Sequence, residues 1–527
     1  MQRNYSELKA KADPAPYFVA YSVVEDESQS AAGSFGSLLN SGGGRTRSLD
    51  VTVRVGDPKL DNYHRMRGDF AQFASAVPVP VDDSPNALRR RVWFETDRVY
   101  RLASQRLIRL RTNTQVKASE EDASDDFSPA QTSTFVESPR RYTFAQADWN
   151  ARIRRLSNEC NKHRGVLACV VVVAATRQTK YFVNSEGTRL QHGRTFARLT
   201  ISVRGKASDG MDLAATDGFD AETPDRLPKE DVIAAAVTRT CERLTTLLRA
   251  PPVDPFVGPA ILSGPAAGVF FHEIFGHRIE GHRQKDEADG QTFTKSVGKP
   301  VLPTFLSVLS DPTRTSSGKA DLNGWYQFDD EGVKAQPVRV VESGVLKTFL
   351  MSRSPIRGFP ASNGHGRRQA GAEVVSRQSN LIVESAQSVD RARLKAMLVE
   401  EVKRQEKPYG LFFEQVTGGF TTTGRQGLQA FTVIPLVVYR VYPDGRPDEL
   451  VRGVSIVGTP LASFAKILAT SNEPEVFNGI CGAESGSVPV SAVSPALLVS
   501  EIEIQRKPAG VDSPPTLPRP SLPGGAN

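Results

Sequence analysis

The sequence predicts an α+β protein of two domains. Residues 1–250 form an N-terminal α/β, sandwich-like domain, and residues 251–507 form a β-rich, barrel-like C-terminal domain that carries a histidine-bearing helix. Three observations predict this. At 527 residues the chain is too long for one ordinary core. Alternating and amphipathic segments share the first 250 residues, whereas strand-like runs dominate after Pro300. The proline-marked stretch Pro251–Pro259 separates the two regions.

The elements follow in order. Pro16–Val24 alternates as a strand, and Ser28–Ser48, rich in serine and glycine, reads as a flexible loop. Leu49–Val55 (Leu-Asp-Val-Thr-Val-Arg-Val) alternates strictly and is a half-buried strand. Leu88, Val92, Val99, Leu102 and Leu110 recur at helical intervals and predict an amphipathic helix. An acidic loop near Asp122 and a helix around Ala147–His163 come next. Val166–Ala175, Lys180–Ser185 and Ala197–Arg204 read as an antiparallel meander, then Glu230–Leu248 as a helix between Pro228 and Pro251-Pro252. In the second half, Val301–Ser310, Val338–Val341, Val345–Leu350, Ala430–Tyr442, Gly453–Val457 and Ala496–Ile504 read as strands, with a helix over Asp390–Arg404. Gly418-Gly419 and Gly424 read as turns. The proline-rich tail over 508–527 is expected to be disordered.

Bulk properties exclude several classes. The first residues lack the apolar core of an export signal, so a cytoplasmic protein is expected unless the natural start lies upstream of Met1. No apolar run approaches the roughly 20 residues of a membrane-spanning helix. The net charge of +7 is modest, and its densest part, the arginines of Arg89–Arg111, reads as the solvated face of a helix. Nucleic-acid binding is not expected, because no binding module or interleaved aromatics accompany those arginines. Cys160, Cys169, Cys241 and Cys481 are widely spaced, which argues against a disulfide framework and a zinc ribbon. Cys169 and Cys241 read as core residues.

The segment Val269–His282 holds three of the seven histidines, with Glu273 directly after His272. That is the composition of a metal site with its own general base. His272 and His277 are five apart, about 140° around an ideal helix, so they share one metal only if the helix breaks or bulges near Gly276. Two imidazoles leave zinc short of a third protein ligand. Cys481, in Asn478-Gly479-Ile480-Cys481-Gly482, stands out because its flanking glycine permits close approach, the alternative being a small buried hydrophobe. His282 reads as a surface histidine that competes with His277. The alternative for the whole cluster is a structural histidine pair. If the metal is bound, a water acidified to a pKa of about 7 becomes the nucleophile, with Glu273 as general base, and a peptide bond is the natural substrate.

These residues, with Glu280-Gly281, Asp329-Asp330-Glu331-Gly332-Val333, Ser362-Asn363-Gly364-His365-Gly366-Arg367, Gly418-Gly419 and Cys481-Gly482, resemble the TldD/PmbA family of metallopeptidases, on its TldD-like branch. The resemblance implies one Zn2+ per active subunit, held by His272, His277 and Cys481, with Glu273 catalytic. It implies an extended or unfolded peptide substrate, with His365, Arg367, Gly418 and Gly419 as substrate-binding candidates. It further implies a homodimer, or a heterodimer with a PmbA/TldE-like subunit. The rival expectations are an inactive assembly subunit, a regulator of peptide maturation without its own cleavage, or a nucleic-acid-associated regulator. His282 departs from the acidic residue that follows Glu-Gly in TldD members, and the N-terminal extension through Ser48 has no match.

Overall fold

The computed structural model describes residues 1–527 apart from 66–70, 115–121, 286–287, 426–429, 459–463, 508–514, 516 and 518–527. The proline-rich tail therefore falls largely outside the described residues. No helix among the described residues is long and apolar enough to cross a membrane.

The N-terminal sheet is built on long antiparallel strands, Pro16–Ser34, Ser37–Asp57, Ala168–Asn184, Arg189–Lys206 and Asp212–Ala221. Alternation gives it two different faces. Val171, Val173, Ala197, Leu199 and Ile201 point to one face, under the helices Gln146–Asn158 and Glu230–Arg249. Val19, Tyr21, Val51 and Val53 continue that core beneath the helix Pro85–Thr114, through Val99, Ala103 and Leu107. The opposite face meets the C-terminal part, where Phe18, Phe182 and Leu190 pack with Phe328.

Two expectations need correction. Ser28–Ser48 is not a flexible loop. The first two strands run through it as one hairpin that turns at Phe35-Gly36, with Gln29 opposite Gly43 and Ala31 opposite Ser41. Small residues are poor strand formers alone, but the neighbouring strand Ala168–Asn184 pairs along the same stretch and supplies the ladder. Likewise Cys160 and Cys169 form a disulfide, with Cα atoms 6.4 Å apart. The short turn Glu159–Lys162 folds the chain back on itself, a proximity that cysteine spacing does not reveal.

The second sheet closes. Gly486–Arg506 pairs with Val454–Gly458, which pairs with Phe431–Val441, then Gly410–Thr421, then Phe256–Leu262, which returns to Gly486–Arg506. This closed circuit is the expected barrel, and it removes its own edges. Strands of this sheet not foreseen from the sequence include Phe256–Leu262 and Gly410–Thr421 in the circuit, and Ile467–Ala483 and Asn380–Ser385 beside it. Gly418-Gly419 lies inside a strand rather than in a turn, at an irregularity in the register. Conversely, the expected strand Val301–Ser310 is regular only over Leu306–Ser310.

The helix Gly264–Ile274 packs against one side of the barrel, and the helix Arg391–Arg404 packs against another through Leu394, Leu398 and Val402. Ser263 caps Gly264–Ile274 by accepting from the Ala266 N–H, and Pro265 sits in its first turn, where no N–H is needed. Phe270 sets ring edges against Phe431 at 5.7 Å and Phe464 at 6.3 Å. The ring is 1% exposed, so Phe270→Ala is expected to destabilise the barrel by about 3–5 kcal/mol. A lowered denaturant midpoint followed by circular dichroism checks this, and an unchanged midpoint contradicts it.

Candidate metal centre

The capped helix ends at Ile274, and the chain continues as a 3-10 turn over Gly276–Ile279. That break turns His277 back toward His272, so the two rings lie 5.0 Å apart and nearly perpendicular. Gly276 leaves room there for Gln378: a Cβ would stand 1.9 Å from Gln378 Oε1. The same Gln378 donates from Nε2 to the His272 carbonyl at 3.3 Å, clasping the helix end.

The third group arrives on the strand Ile467–Ala483. Cys481 Sγ lies 3.2 Å from His272 Nε2 and 3.4 Å from His277 Nε2. The ligand atoms of these three buried residues all fall within 4.8 Å of one another. Two imidazoles and a thiol at this spacing are a soft, zinc-type donor set with a position left open. Burial raises the thiol pKa, but the imidazoles beside it outweigh that and push it well below its usual value. Burial lowers the His277 pKa, while Cys481 and Glu280 raise it to about 10.

A buried ionic shell orients the donors. His277 Nδ1 meets Glu280 Oε2 at 3.2 Å, and Arg283 Nε donates to the same oxygen at 2.9 Å. Arg377 Nη2 donates to the Cys481 carbonyl at 2.7 Å and to its sulfur at 3.1 Å, while its Nε pairs with Glu280 Oε1 at 3.4 Å. His282 corrects its surface reading. It is 4% exposed and bonds Glu484, which also accepts from Arg283 Nη2 at 2.9 Å. Glu280 had a detectable signal, three residues after His277 and hence on its side of a helical turn. Arg377, Gln378 and Glu484 had none, because nothing local links them to the motif.

Glu273 lies beside the donors, with Oε2 3.9 Å from His277 Nε2. Burial holds its carboxyl above the ordinary range. Gly419 makes room for it, since a Cβ there would lie 2.8 Å from Glu273 Cγ. The group opens into a cleft of about 930 Å³, walled by Glu414–Thr421, by Val476–Glu484 and by Arg198, Thr200 and Thr216 of the N-terminal sheet. Gly418 and Gly419 line this cleft. His365 and Arg367 do not. His365 is fully buried, with Nε2 3.0 Å from Ser310 Oγ and Nδ1 against Asn363. Arg367 donates to the carbonyls of Gln378 and Pro489, on the far side of the hairpin that carries Cys481.

Comparison with known proteins places these features in a family. Residues 257–506 match the PmbA/TldA metallopeptidase C-terminal domain, and residues 147–244 match the central domain of the same family. A metalloprotease of Methanocaldococcus jannaschii is 27% identical over 317 residues, 59% of this chain and 64% of that protein. A metalloprotease TldD homolog of Haemophilus influenzae is 27% identical over 252 residues, 47% of this chain and 48% of that protein. A zinc metalloprotease TldD homolog of Saccharolobus solfataricus is 25% identical over 250 residues, 47% of this chain and 51% of that protein. The chain thus spans from 48% to 64% of the length of these relatives. Among solved structures, a candidate modulator of DNA gyrase from Thermotoga maritima superposes with a TM-score of 0.61 at 16% identity, over 96% of this chain and 100% of that one. TldE from Thermococcus kodakarensis gives 0.60 at 12% identity, over 95% and 99%. At these identities both speak for the fold alone.

The tightest local constraint is testable. Gly276→Ala forces Gln378 off the helix end and is expected to cost about 1–3 kcal/mol, read as a lowered Tm. Pairing it with Gln378→Ala should recover most of that loss, and failure to recover would show that Gln378 is not the obstacle.

Proposed function

The chain belongs to the PmbA/TldD family of metallopeptidases, and from that footing we propose that it is a zinc-dependent peptidase acting on extended or unfolded peptides. The observation that carries this reading is the convergence of His272, His277 and Cys481 within 4.8 Å, beside a buried carboxylate and at the floor of an open cleft. When bound, zinc supplies Lewis acidity, which polarises a carbonyl and acidifies a water.

The chain's own residues do the rest. Glu273 takes the water's proton and returns it to the departing amine. Its raised pKa suits both acts, because a base that is too weak holds no proton to return. Glu280 accepts from His277 Nδ1, which leaves Nε2 as the ligand atom. Arg377 holds the sulfur of Cys481 by an N–H bond and its backbone by another. The cleft walls are strand segments, which suits a chain in extended form. A folded domain would have to unravel to bring a peptide bond to Glu273.

The reading extends to assembly. The likeness to TldE favours a pairing of this subunit with a second of the same fold, either another copy or a TldE-like partner. An inactive assembly subunit is the alternative, and the complete donor set with its base argues against it.

Metal analysis of the purified chain is expected to give about one zinc per chain, lost in both His277→Ala and Cys481→Ala. Retention of metal by both variants would exclude this site. Glu273→Ala should keep its zinc yet lose about 10²–10⁴-fold in cleavage of an unstructured peptide. Cleavage at the wild-type rate would remove Glu273 as the base.

A further inference from the structure

A second cavity, of about 200 Å³, lies between the open face of the N-terminal sheet and the segments Trp325–Asp330 and Arg367–Ala370. Val488 and Pro489 line it, so the hairpin that carries Cys481 separates it from the metal cleft. Lys180, Arg194, Arg367 and Arg368 line it together with Asp26, Asp50, Asp329 and Asp330, and the carboxylates are already engaged: Asp329 accepts from the N–H groups of Glu331, Val333 and Gly366, and Arg368 lies 3.7 Å from Asp50. Lys180 is paired, with Nζ 2.5 Å from Asp330 Oδ1. Asp50 is satisfied by the backbone N–H groups of Ser75, Ala76 and Gly371, and Asp26 by Gln178.

Two arginines are left without a carboxylate. Arg194 donates only to the carbonyl and side-chain oxygens of Asn323. Arg367 donates only to the carbonyls of Gln378 and Pro489, and stacks over Tyr326 at 4.8 Å. Neither forms an ion pair among the described residues. Arg367 is buried and Arg194 half-buried, and cations removed from water in this way are costly and normally paired in native proteins. Burial and the neighbouring Arg367 lower the Arg194 pKa to about 9, and burial also lowers that of Arg367, against the opposing pull of Tyr326 and Asp330.

Two further polar groups face the same space unsatisfied. His192 is 5% exposed and has no hydrogen-bond partner among the described residues, only the Phe328 ring at 5.6 Å. Gln327 Oε1 is buried and accepts nothing. The wall therefore offers charged donors and a neutral imidazole around one small volume.

We propose that this cavity is a binding site for a small oxyanion, a carboxylate or a phosphate, held between the guanidinium groups of Arg194 and Arg367 with His192 completing the contact. A guanidinium presents its N–H donors in a planar fork that fits either oxyanion. Occupancy would also reach the cleft. Asn323, which Arg194 grips, donates to the Gly479 carbonyl at 3.2 Å, two residues before Cys481 on the same strand. The site is distinct from the metal centre and does not depend on the peptidase reading.

The test is thermal stability and calorimetric titration of the full chain in sodium acetate, sodium phosphate and sodium chloride at equal ionic strength and pH. Saturable stabilisation by acetate or phosphate, but not by chloride, is expected. The anion that acts tells a carboxylate ligand from a phosphate one. Arg194→Gln should weaken that binding about tenfold or more, since a charge-assisted bond of this kind contributes about 1.5–3 kcal/mol. The surface variant Arg155→Gln should leave it unchanged. Cys481→Ala should also retain the response, which separates this cavity from the metal centre. Equal effects of all three salts on the wild type would overturn the proposal even if Arg194→Gln fails to fold. So would undiminished binding in a folded Arg194→Gln chain, or loss of the response in Cys481→Ala.

Discussion

Arg377 is a fully buried cation, and the arrangement of the metal centre depends on how its charge is met. Its guanidinium bonds the carbonyl and sulfur of Cys481, the Ser485 hydroxyl and the Gly486 carbonyl, so one side chain grips the whole tip of the hairpin. Its counter-charge is Glu280, also fully buried, which in turn holds His277 and Arg283. A buried cation that loses its partner costs about 3–5 kcal/mol, so hairpin and helix end are bound to each other rather than merely adjacent. Arg283 extends the chain of charges to Glu484 and thence to His282.

That ionic shell sits on two rigid supports. Barrel closure fixes Gly486–Arg506 on both sides, and the helix Gly264–Ile274 is locked by aromatic contacts on Phe270 and Phe271. Placement of a histidine at the end of such a helix, with the next one on a tight turn, needs a residue that tolerates Gln378 at its side. Gly276 meets that need through the absence of a side chain. Across the cleft, the N-terminal sheet contributes a polar face. Arg198 pairs with Asp220 at 2.6 Å and donates to the Asn478 carbonyl at 2.9 Å, tying the two sheets together along the cleft.

Legibility in the sequence follows the range of the interactions. The strands Leu49–Val55 and Ala197–Arg204 were readable because their alternation records which face is buried. The helix Glu230–Arg249 was readable from its 3.6-residue period and flanking prolines. The strand Ile467–Ala483 was not, since its polar and glycine-rich stretch is stabilised by a hairpin partner and not by its own pattern. Gly410–Thr421 was missed for a similar reason: Gly418 and Gly419 punctuate the sequence as a turn would, yet sit opposite Ile434 and Val433. His282 was misread as exposed because its polar neighbours signal surface, whereas the buried network supplies partners for them. The Cys160–Cys169 bond was missed because cysteine spacing says nothing of a chain that reverses between the two.

By itself, then, the sequence determined the α+β class, the barrel-like second half, the Glu273-bearing motif and the need for a break near Gly276. Each rests on contacts between residues a few positions apart, where backbone geometry converts spacing directly into direction. Its flanking glycines made Cys481 the candidate third ligand, and the family resemblance pointed to the same residue. Only the tertiary structure brought its sulfur to His272 across 209 residues, recruited Arg377 and Glu280 to hold it, and left Arg194 and Arg367 facing one cavity with no ion-pair partner among the described residues. Those outcomes depend on which distant strands pair and which charges become buried together, and no local period in the chain encodes either.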